Sequence, residues 1–412
     1  MLLLVLDVLL VRVDLRLGIA WSADYNAIDC TTNAKLAGIE ADSRNGRSPA
    51  SNPLFGGIPI TRRYGKQPAA HGTTAMSKPT IKQIAEALDV HPSTVSRVLN
   101  PETRHRIGDE LVARVLKAAQ DLHYSPNRIA AALRTRRSGT IGVVVPDIGS
   151  PVFPPIVLGI ENALSRHRYI PIVANAGGDK ARQTFIVDQL LARQVDGLIL
   201  ATAERNDPVV AHCLAQGVPI VMVNRSDDAG RVSSVVGDSR QAMALAVGHL
   251  HALGHRRIGH VAGPSSLSTG HEREAGFLQA VADLGLSASQ CPVERAPAYT
   301  EDAGQAACAQ LLSRRQRITA VVAANDFLAL GCYAAVRAAG GSCPSDLSVV
   351  GHNDMLLMHA VSPALTTIRV PFYEMGTRAA ALMLGALDGS IATTARTLLT
   401  PELVVRASTR PL

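Results

Sequence analysis

Cysteine is sparse and unpatterned: the six residues at 30, 213, 291, 308, 332 and 343 form no CxxC and no Cys/His ligand spacing. That excludes a zinc ribbon or finger and points to free thiols in a reducing cytoplasm rather than a disulfide framework. Beyond residue 20 no apolar run is long enough to span a bilayer, so no membrane partner is expected. Within Met1–Ala20 the apolar run is interrupted by Asp7, Arg12, Asp14 and Arg16 and has no basic start, which makes a poor signal peptide. There is no GxSxG elbow, no HExxH, no GxGxxG and no Walker-type phosphate loop. No acid/base pair or nucleophile with a partner is legible either. The chain reads as a non-enzyme without cofactor or metal.

Charge is unevenly spread. The 412 residues carry a formal +7. Residues 76–138 hold 11 Lys/Arg against 6 Asp/Glu, whereas residues 139–412 hold 22 of each and balance. A local surplus of this kind suits a phosphate-binding surface. It coincides with Thr80–Asn100, TIKQIAEALDVHPSTVSRVLN, which reads as two short helices joined by a tight turn. Thr80 with Gln83 is a capping-box pair, and Ile81, Ile84, Ala85 and Leu88 fall on one stripe of helical period. A second helix starts at Pro92, whose missing N–H costs nothing there. Val95, Val98 and Leu99 form its buried side and leave Pro92, Ser93 and Arg97 facing out. One face packs and the other reads bases in a helix-turn-helix, and Arg97 has the fork to pair with a guanine edge. Pro101–Arg106 reads as a basic loop in which Arg104 and Arg106 are placed for phosphates. A third helix, about Asp109 to His123, turns Leu111, Val115, Ala118, Ala119 and Leu122 inward and is stopped by Pro126.

The runs TIKQIA from Thr80, VxxSTVSRVLN from Val90 and HYSPNRIAAAL from His123 resemble the lactose-repressor (LacI/GalR) family of transcription regulators. Asp89 stands where that family usually has Gly, and His91 where it has Ser; neither suits its position as well as the usual residue. The resemblance implies DNA contacts from Thr80, Pro92, Ser93, Thr94, Ser96, Arg97 and Asn100. Read alone, 127–138 is a flexible linker with one apolar anchor; the resemblance implies instead a hinge helix over Asn127–Arg134 that orders on DNA, with contacts from Asn127, Arg128 and Ala130 and with Leu133 wedged into the minor groove. Family members begin near Met76. Residues 1–75, rich in Gly, Pro, Ser and Asn after residue 22, therefore read as a disordered or over-extended start.

From Gly139 the texture changes to short β-branched runs alternating with amphipathic helices: Ile141–Val145, Ile170–Ala174, Leu198–Ala201, Ile220–Val223, Val232–Val236, Ile258–Ala262, Ala320–Ala324 and Leu347–Val350. That rhythm predicts parallel sheets covered on both faces, in two α/β subdomains with a cleft between them. The full expectation is a head at 76–126, the hinge at 127–138, and an effector-binding and dimerisation region at 139–412. By resemblance to the periplasmic-binding-protein type I fold, one lobe spans 139–238 and 370–400 and the other 239–369 and 401–412.

Ligands in such folds sit beyond the carboxyl ends of strands. The strand ends deliver Asp147 and Phe153; Asn224 and Arg225; Thr269 and Arg273; Tyr299; Asn325 and Asp326; and His352, Asn353 and Asp354. Among these, Phe153, Thr269, Arg273, Tyr299 and Asn353 match positions that line the family's effector pocket. Leu267 stands where the purine-responsive member has arginine, which argues against a purine base. Ordinary capping and loop service is the competing account, evenly balanced for Asp326 and Asp354. His249, His251, His255 and His260 lack a carboxylate or thiol at ligand spacing and read as structural. The expected protein is a homodimer, with a tetramer as the next assembly. It would bind double-stranded operator DNA and a sugar or sugar acid, most simply as a repressor. An activator or a solute-binding protein of the same core fold is the alternative, and the latter would need an export signal and no basic head.

Overall fold

The computed structural model describes residues 79–124 and 137–412, except 203, 316 and 392. The expectations for 1–75 and for the hinge residues Asn127, Arg128, Ala130 and Leu133 lie outside the described residues.

Helix α1, Ile81–Leu88, opens with both halves of the capping box formed: Gln83 N–H donates to Thr80 Oγ1, and Thr80 N–H donates to Gln83 Oε1 at 2.7 Å. It closes at Asp89, whose backbone is left-handed (φ 51°) and whose N–H bonds back to the carbonyls of Ala85 and Glu86. Asp is among the few non-glycine residues that visit this region routinely, so the turn survives without glycine. Helix α2, Pro92–Leu99, starts from His91, whose Nδ1 accepts from Ser93 N–H at 3.2 Å. An imidazole thus does the capping that a serine hydroxyl would do. Val95 and Val98 are fully buried, and Leu99 only partly.

Three expectations need correction here. Pro101–Arg104 is a short helix, α3, rather than a loop, and Arg104 Nε donates to Val98 O at 2.8 Å. Its Nε–H thereby satisfies an orphan carbonyl at the end of α2. Helix α4 spans Asp109–Asp121 and ends at Leu122, before a left-handed His123 (φ 50°), so the proline is not what stops it. Leu122 is 40% exposed rather than inward. Asp109 and Glu110 in the first turn of α4 complement the helix dipole. Ile84, Ala85, Val95, Val98, Val115 and Ala119 make the core of this head.

The rest alternates strand and helix: β1 Thr140–Val145, α5 Phe153–Ser165, β2 Ile170–Asn175, α6 Lys180–Ala192, β3 Gly197–Leu200, α7 Pro208–Ala215, β4 Ile220–Val223 and β5 Ser233–Gly237. There follow α8 Ser239–Ala252, β6 Ile258–Ala262, α9 Ser268–Asp283, β7 Val293–Arg295, α10 Glu301–Ser313, β8 Ala320–Ala323, α11 Asp326–Ala338 and β9 Ser348–Asn353. The chain ends with β10 Thr366–Arg369, α12 Phe372–Asp388, β11 Arg396–Leu399 and β12 Glu402–Val404. Two six-stranded sheets result, ordered β11-β5-β4-β3-β1-β2 and β12-β10-β9-β8-β6-β7. Every pairing is parallel except β10 with β12.

Each apolar run read from the sequence became a strand, and β3, β4 and β8 are buried along their whole length. Parallel strands covered by helices on both sides must be apolar on both faces, which is why they show as unbroken runs. The chain passes from one sheet to the other between Gly237 and Ser239, between Arg369 and Phe372, and between Leu399 and Glu402. Helix α12 returns to lie along α5, and the two approach backbone to backbone. A Cβ at Gly159 would overlap the carbonyl of Tyr373, and one at Gly376 would overlap that of Ile156.

Candidate functional site

On the head, the outward edge of α2 presents Ser93, Arg97 and Asn100 to solvent, with Pro92, Thr94 and Ser96 half-buried beside them. The Arg97 guanidinium makes no hydrogen bond or ion pair with any described residue. Its backbone carbonyl, by contrast, is fixed by Thr103 Oγ1 at 2.8 Å, so the position is rigid while the side chain is free. Ser93 Oγ is shared with His91 Nδ1 at 2.7 Å. Thr80 is exposed, but its hydroxyl is engaged in the capping box.

In the core, all five residues expected to line a pocket line one cleft: Phe153, Thr269, Arg273, Tyr299 and Asn353. It holds about 190 Å³ of free space and is walled from both sheets at the carboxyl ends of their strands. Arg273 stands early in α9, which β6 delivers to the cleft, and is only 5% exposed. Its Nη1 donates to Ala324 O at 2.6 Å and its Nη2 to Asn353 Oδ1 at 3.4 Å, while the buried Nε has no partner among the described residues. Burial draws its pKa below the usual arginine value. Tyr299 OH donates to Thr269 Oγ1 at 3.1 Å, and its ring lies so close over Gly263 that any Cβ there would collide with it.

Asn353 has a positive φ of 114°, an uncommon conformation outside glycine that aims a short amide across the cleft. Its Oδ1 also meets His352 Nδ1 at 2.9 Å, so that nitrogen carries the proton. Burial, then the charge of Arg273, keeps His352 neutral by holding its pKa well below the ordinary histidine range.

The cleft contains more than those five. Asp147, Asn224, Arg225 and Asn325, all visible as strand-end residues, line it as well. Ser150 and Phe327 line it without any signal in the sequence, because each sits within a loop or helix start whose direction only the fold decides. Arg225 Nη1 donates to Thr202 O at 2.7 Å, and burial lowers its pKa.

Asp326 and Asp354 are not helix caps. Asn325 caps α11 by accepting from Leu328 N–H at 2.8 Å. Asp326 is fully buried and accepts from Thr367 Oγ1 at 2.6 Å and Met355 N–H at 2.7 Å, tying the loop after β9 to β10. Burial pushes its pKa up to about 7. Asp354 pairs with Arg369 at 2.9 Å and Arg406 at 2.6 Å.

The histidines are dispersed in structural roles. His249 meets Thr409 Oγ1, and His255 bridges Thr319 Oγ1 and Arg410 O. His260 donates to Val322 O at 2.8 Å and stacks on Phe277. Among the described residues no group of three His, Cys, Asp or Glu side chains could hold a metal ion, and Cys213, Cys291, Cys308, Cys332 and Cys343 are free thiols.

Asp196, just before β3, escaped sequence reading. It grips the first residues of the core: Oδ1 accepts from Ser138 N–H at 2.7 Å and Oδ2 from Gly139 N–H at 2.9 Å.

A compact helix-turn-helix head in one chain with a two-sheet core and a strand-end cleft defines a transcriptional regulator. Residues 80–127 match the model of bacterial regulatory proteins of the lacI family, and residues 247–409 match that of the periplasmic binding protein-like domain. The chain is 32% identical over 334 residues to the HTH-type transcriptional repressor CytR of Escherichia coli K12, covering 81% of this chain and 97% of that one. It superposes on a lac repressor dimer bound to operator and the anti-inducer ONPF with a TM-score of 0.71 at 27% identity, covering 81% of this chain and 99% of the other. A complex of the transcriptional regulator CelR with cellobiose gives 0.61 at 29% identity, over 80% of this chain and all of that one. The chain belongs to the lacI family of bacterial regulatory proteins. None of its helices, among the described residues, is long and apolar enough to cross a membrane.

Proposed function

We propose that the protein is a repressor that binds a near-palindromic operator as a homodimer and is controlled by a small polar metabolite, a sugar or sugar acid, held in the cleft of the core. The observation that carries this reading is the free Arg97 guanidinium on an otherwise well-anchored α2, in the same chain as a cleft whose buried Arg273 has an unsatisfied Nε. Arg97 donates to a guanine edge from the major groove, and Ser93, Thr94, Ser96 and Asn100 contact neighbouring bases and phosphates. Pro92 and Thr80 set the ends of their helices against the backbone. Asn127, Arg128, Ala130 and Leu133 form the hinge contacts in the minor groove. Head, hinge and effector region divide at about 126 and 138.

In the core, Phe153 and Tyr299 offer apolar faces to a sugar ring, while Arg273, Thr269 and Asn353 take its polar groups. A ligand contacting both sheets binds better to one relative lobe position than to others, and that differential affinity is what changes operator binding. Asp196, clamping Ser138 and Gly139, fixes the point where lobe movement reaches the hinge. Among solved relatives a lac repressor dimer sits on operator and a regulator holds cellobiose, which supports the dimer, the operator and a sugar-like effector.

Selection of duplexes from a random pool by the full chain tests the reading. A two-fold-related pair of half-sites should be enriched, and the affinity of the winning duplex should change when the cleft is filled. Enrichment of no sequence, or of a single asymmetric site, would overturn it.

A further inference from the structure

Many arginines of the core pair with carboxylates, and others, such as Arg182, Arg256 and Arg410, bond backbone carbonyls but stand exposed to water. Arg205 pairs with Asp228, Arg231 with Asp227, Arg295 with Glu274, Arg314 with Glu294, Arg396 with Glu272 and Arg406 with Asp354. The two arginines that line the cleft have neither a carboxylate partner nor full access to water. Arg273 is buried against a backbone carbonyl and an amide oxygen, and its Nε faces nothing in the described chain. Arg225 bonds only the carbonyl of Thr202. Carbonyls and amides supply dipoles rather than charge, so a buried cation at Arg273 and a half-buried one at Arg225 are left without a counter-charge at ion-pair distance.

The carboxylates nearby are otherwise engaged. Both oxygens of Asp326 are taken by Thr367 and Met355, and Glu272 is held by Arg396 and Ser226. Glu204 and Asp207, the carboxylates that bear on Arg225, are held by Lys180 and by Gln183 and Val209 N–H, and His352 is neutral and adds no negative charge. Asp147 does line the cleft, but it is solvent-exposed and hydrogen-bonds Gly149 N–H, as suits a rim acceptor for hydroxyl groups.

We infer that the effector is an anionic polyhydroxy compound whose carboxylate seats against Arg273 and Arg225 while its hydroxyls face Asp147, Asn224 and Asn353, and that a neutral sugar is the poorer ligand. This rests on the cleft being the effector site. An arginine fork matches the two oxygens of a carboxylate, and an orphan Nε–H beside Nη2 is one edge of that fork. The ligand thus supplies the counter-charge that the chain omits.

The test uses the full chain and matched pairs: D-glucuronate and D-gluconate against D-glucose, and D-galacturonate against D-galactose, by calorimetry and thermal shift at equal concentration. At least one acid should bind tenfold or more tightly than its neutral parent. A variant that leaves both arginines in place supplies an independent readout. Asn353→Asp places a carboxylate of the same shape beside Arg273 Nη2, so it should raise the melting temperature of the unliganded protein and weaken acid binding at least tenfold. Equal or tighter binding of a parent sugar, no binding by any acid of the panel, or a lowered melting temperature in Asn353→Asp would overturn the inference. A neutral sugar that binds and loses affinity in Phe153→Ala would discard the charge argument while leaving the cleft as effector site. An operator affinity indifferent to every compound would sink both.

Discussion

Among the described residues, six buried side chains, none larger than isoleucine, form the centre of the head, whereas the core spreads burial over two six-stranded sheets and the helices on them. The head's contacts are local: one eight-residue helix both packs inward through Val95 and Val98 and presents Arg97 outward. The cleft is the reverse, since Asp147, Arg225, Arg273 and Asn353 meet only after the whole core has folded. Little burial and a reading surface on the same helix make the head the weak partner. Extensive burial makes the core the stable one, and its site is the more sensitive to electrostatics than to packing.

The comparison breaks most easily at Ile84, which is fully buried. Truncation to alanine removes about 2–5 kcal/mol, comparable with the roughly 3–5 kcal/mol that a core of this size supplies. Ile84→Ala should therefore abolish operator binding while calorimetry shows the main melting transition of the core unmoved. A core transition that falls with it would show that the two regions fold as one.

The core has its own weakness in acid. Burial, the largest influence on His260, pushes its pKa down to about 4, below the ordinary value of about 6.5. A neutral native histidine that must charge on unfolding contributes stability that is whole above about pH 6.5 and is lost as the pH falls toward 4. At 1.36 kcal/mol per pKa unit the loss is on the order of 3 kcal/mol. Urea unfolding should show wild type losing more stability than His260→Gln between pH 7 and pH 5. His249, His255 and His352 are shifted in the same direction and add to the trend.

The junction sharpens the contrast. In Asp196→Asn one carboxylate oxygen becomes an NH2, which cannot accept from Ser138 or Gly139. Operator affinity without ligand and ligand affinity should both stay close to wild type. The change in operator affinity caused by ligand, on the order of 1–3 kcal/mol for coupled sites, should shrink. Equal coupling in the two proteins would remove Asp196 from the pathway. The smallest effect belongs to Thr80→Ala, which loses the capping box and about 1 kcal/mol of head stability, read as a lower midpoint for the loss of head helicity.

The same difference in scale decides what was legible in the sequence. The capping box, the proline at the start of α2 and the buried stripes are short-range patterns, and the structure shows them in place. The long buried strands showed as apolar runs. β10 did not, because its Thr366 and Thr367 are polar residues buried by hydrogen bonding, and β7, β11 and β12 are too short and too exposed to stand out. Strand-end reasoning gathered the cleft residues because ligand sites in parallel sheets obey topology. It leaves Asp326 evenly balanced between ligand contact and helix cap, and only tertiary packing reveals Thr367 and Met355 as its partners. The tie from Arg104 Nε to Val98 O is likewise a matter of packing that no short-range pattern announces.

The most direct measurement compares wild type with Arg97→Ala on the selected duplex and on a set with each base pair of one half-site changed in turn. The account predicts a loss of about 1–3 kcal/mol on the selected duplex, with discrimination erased at one position per half-site and retained elsewhere. Unchanged affinity and an unchanged pattern of discrimination would contradict it and leave α2 a packing helix only.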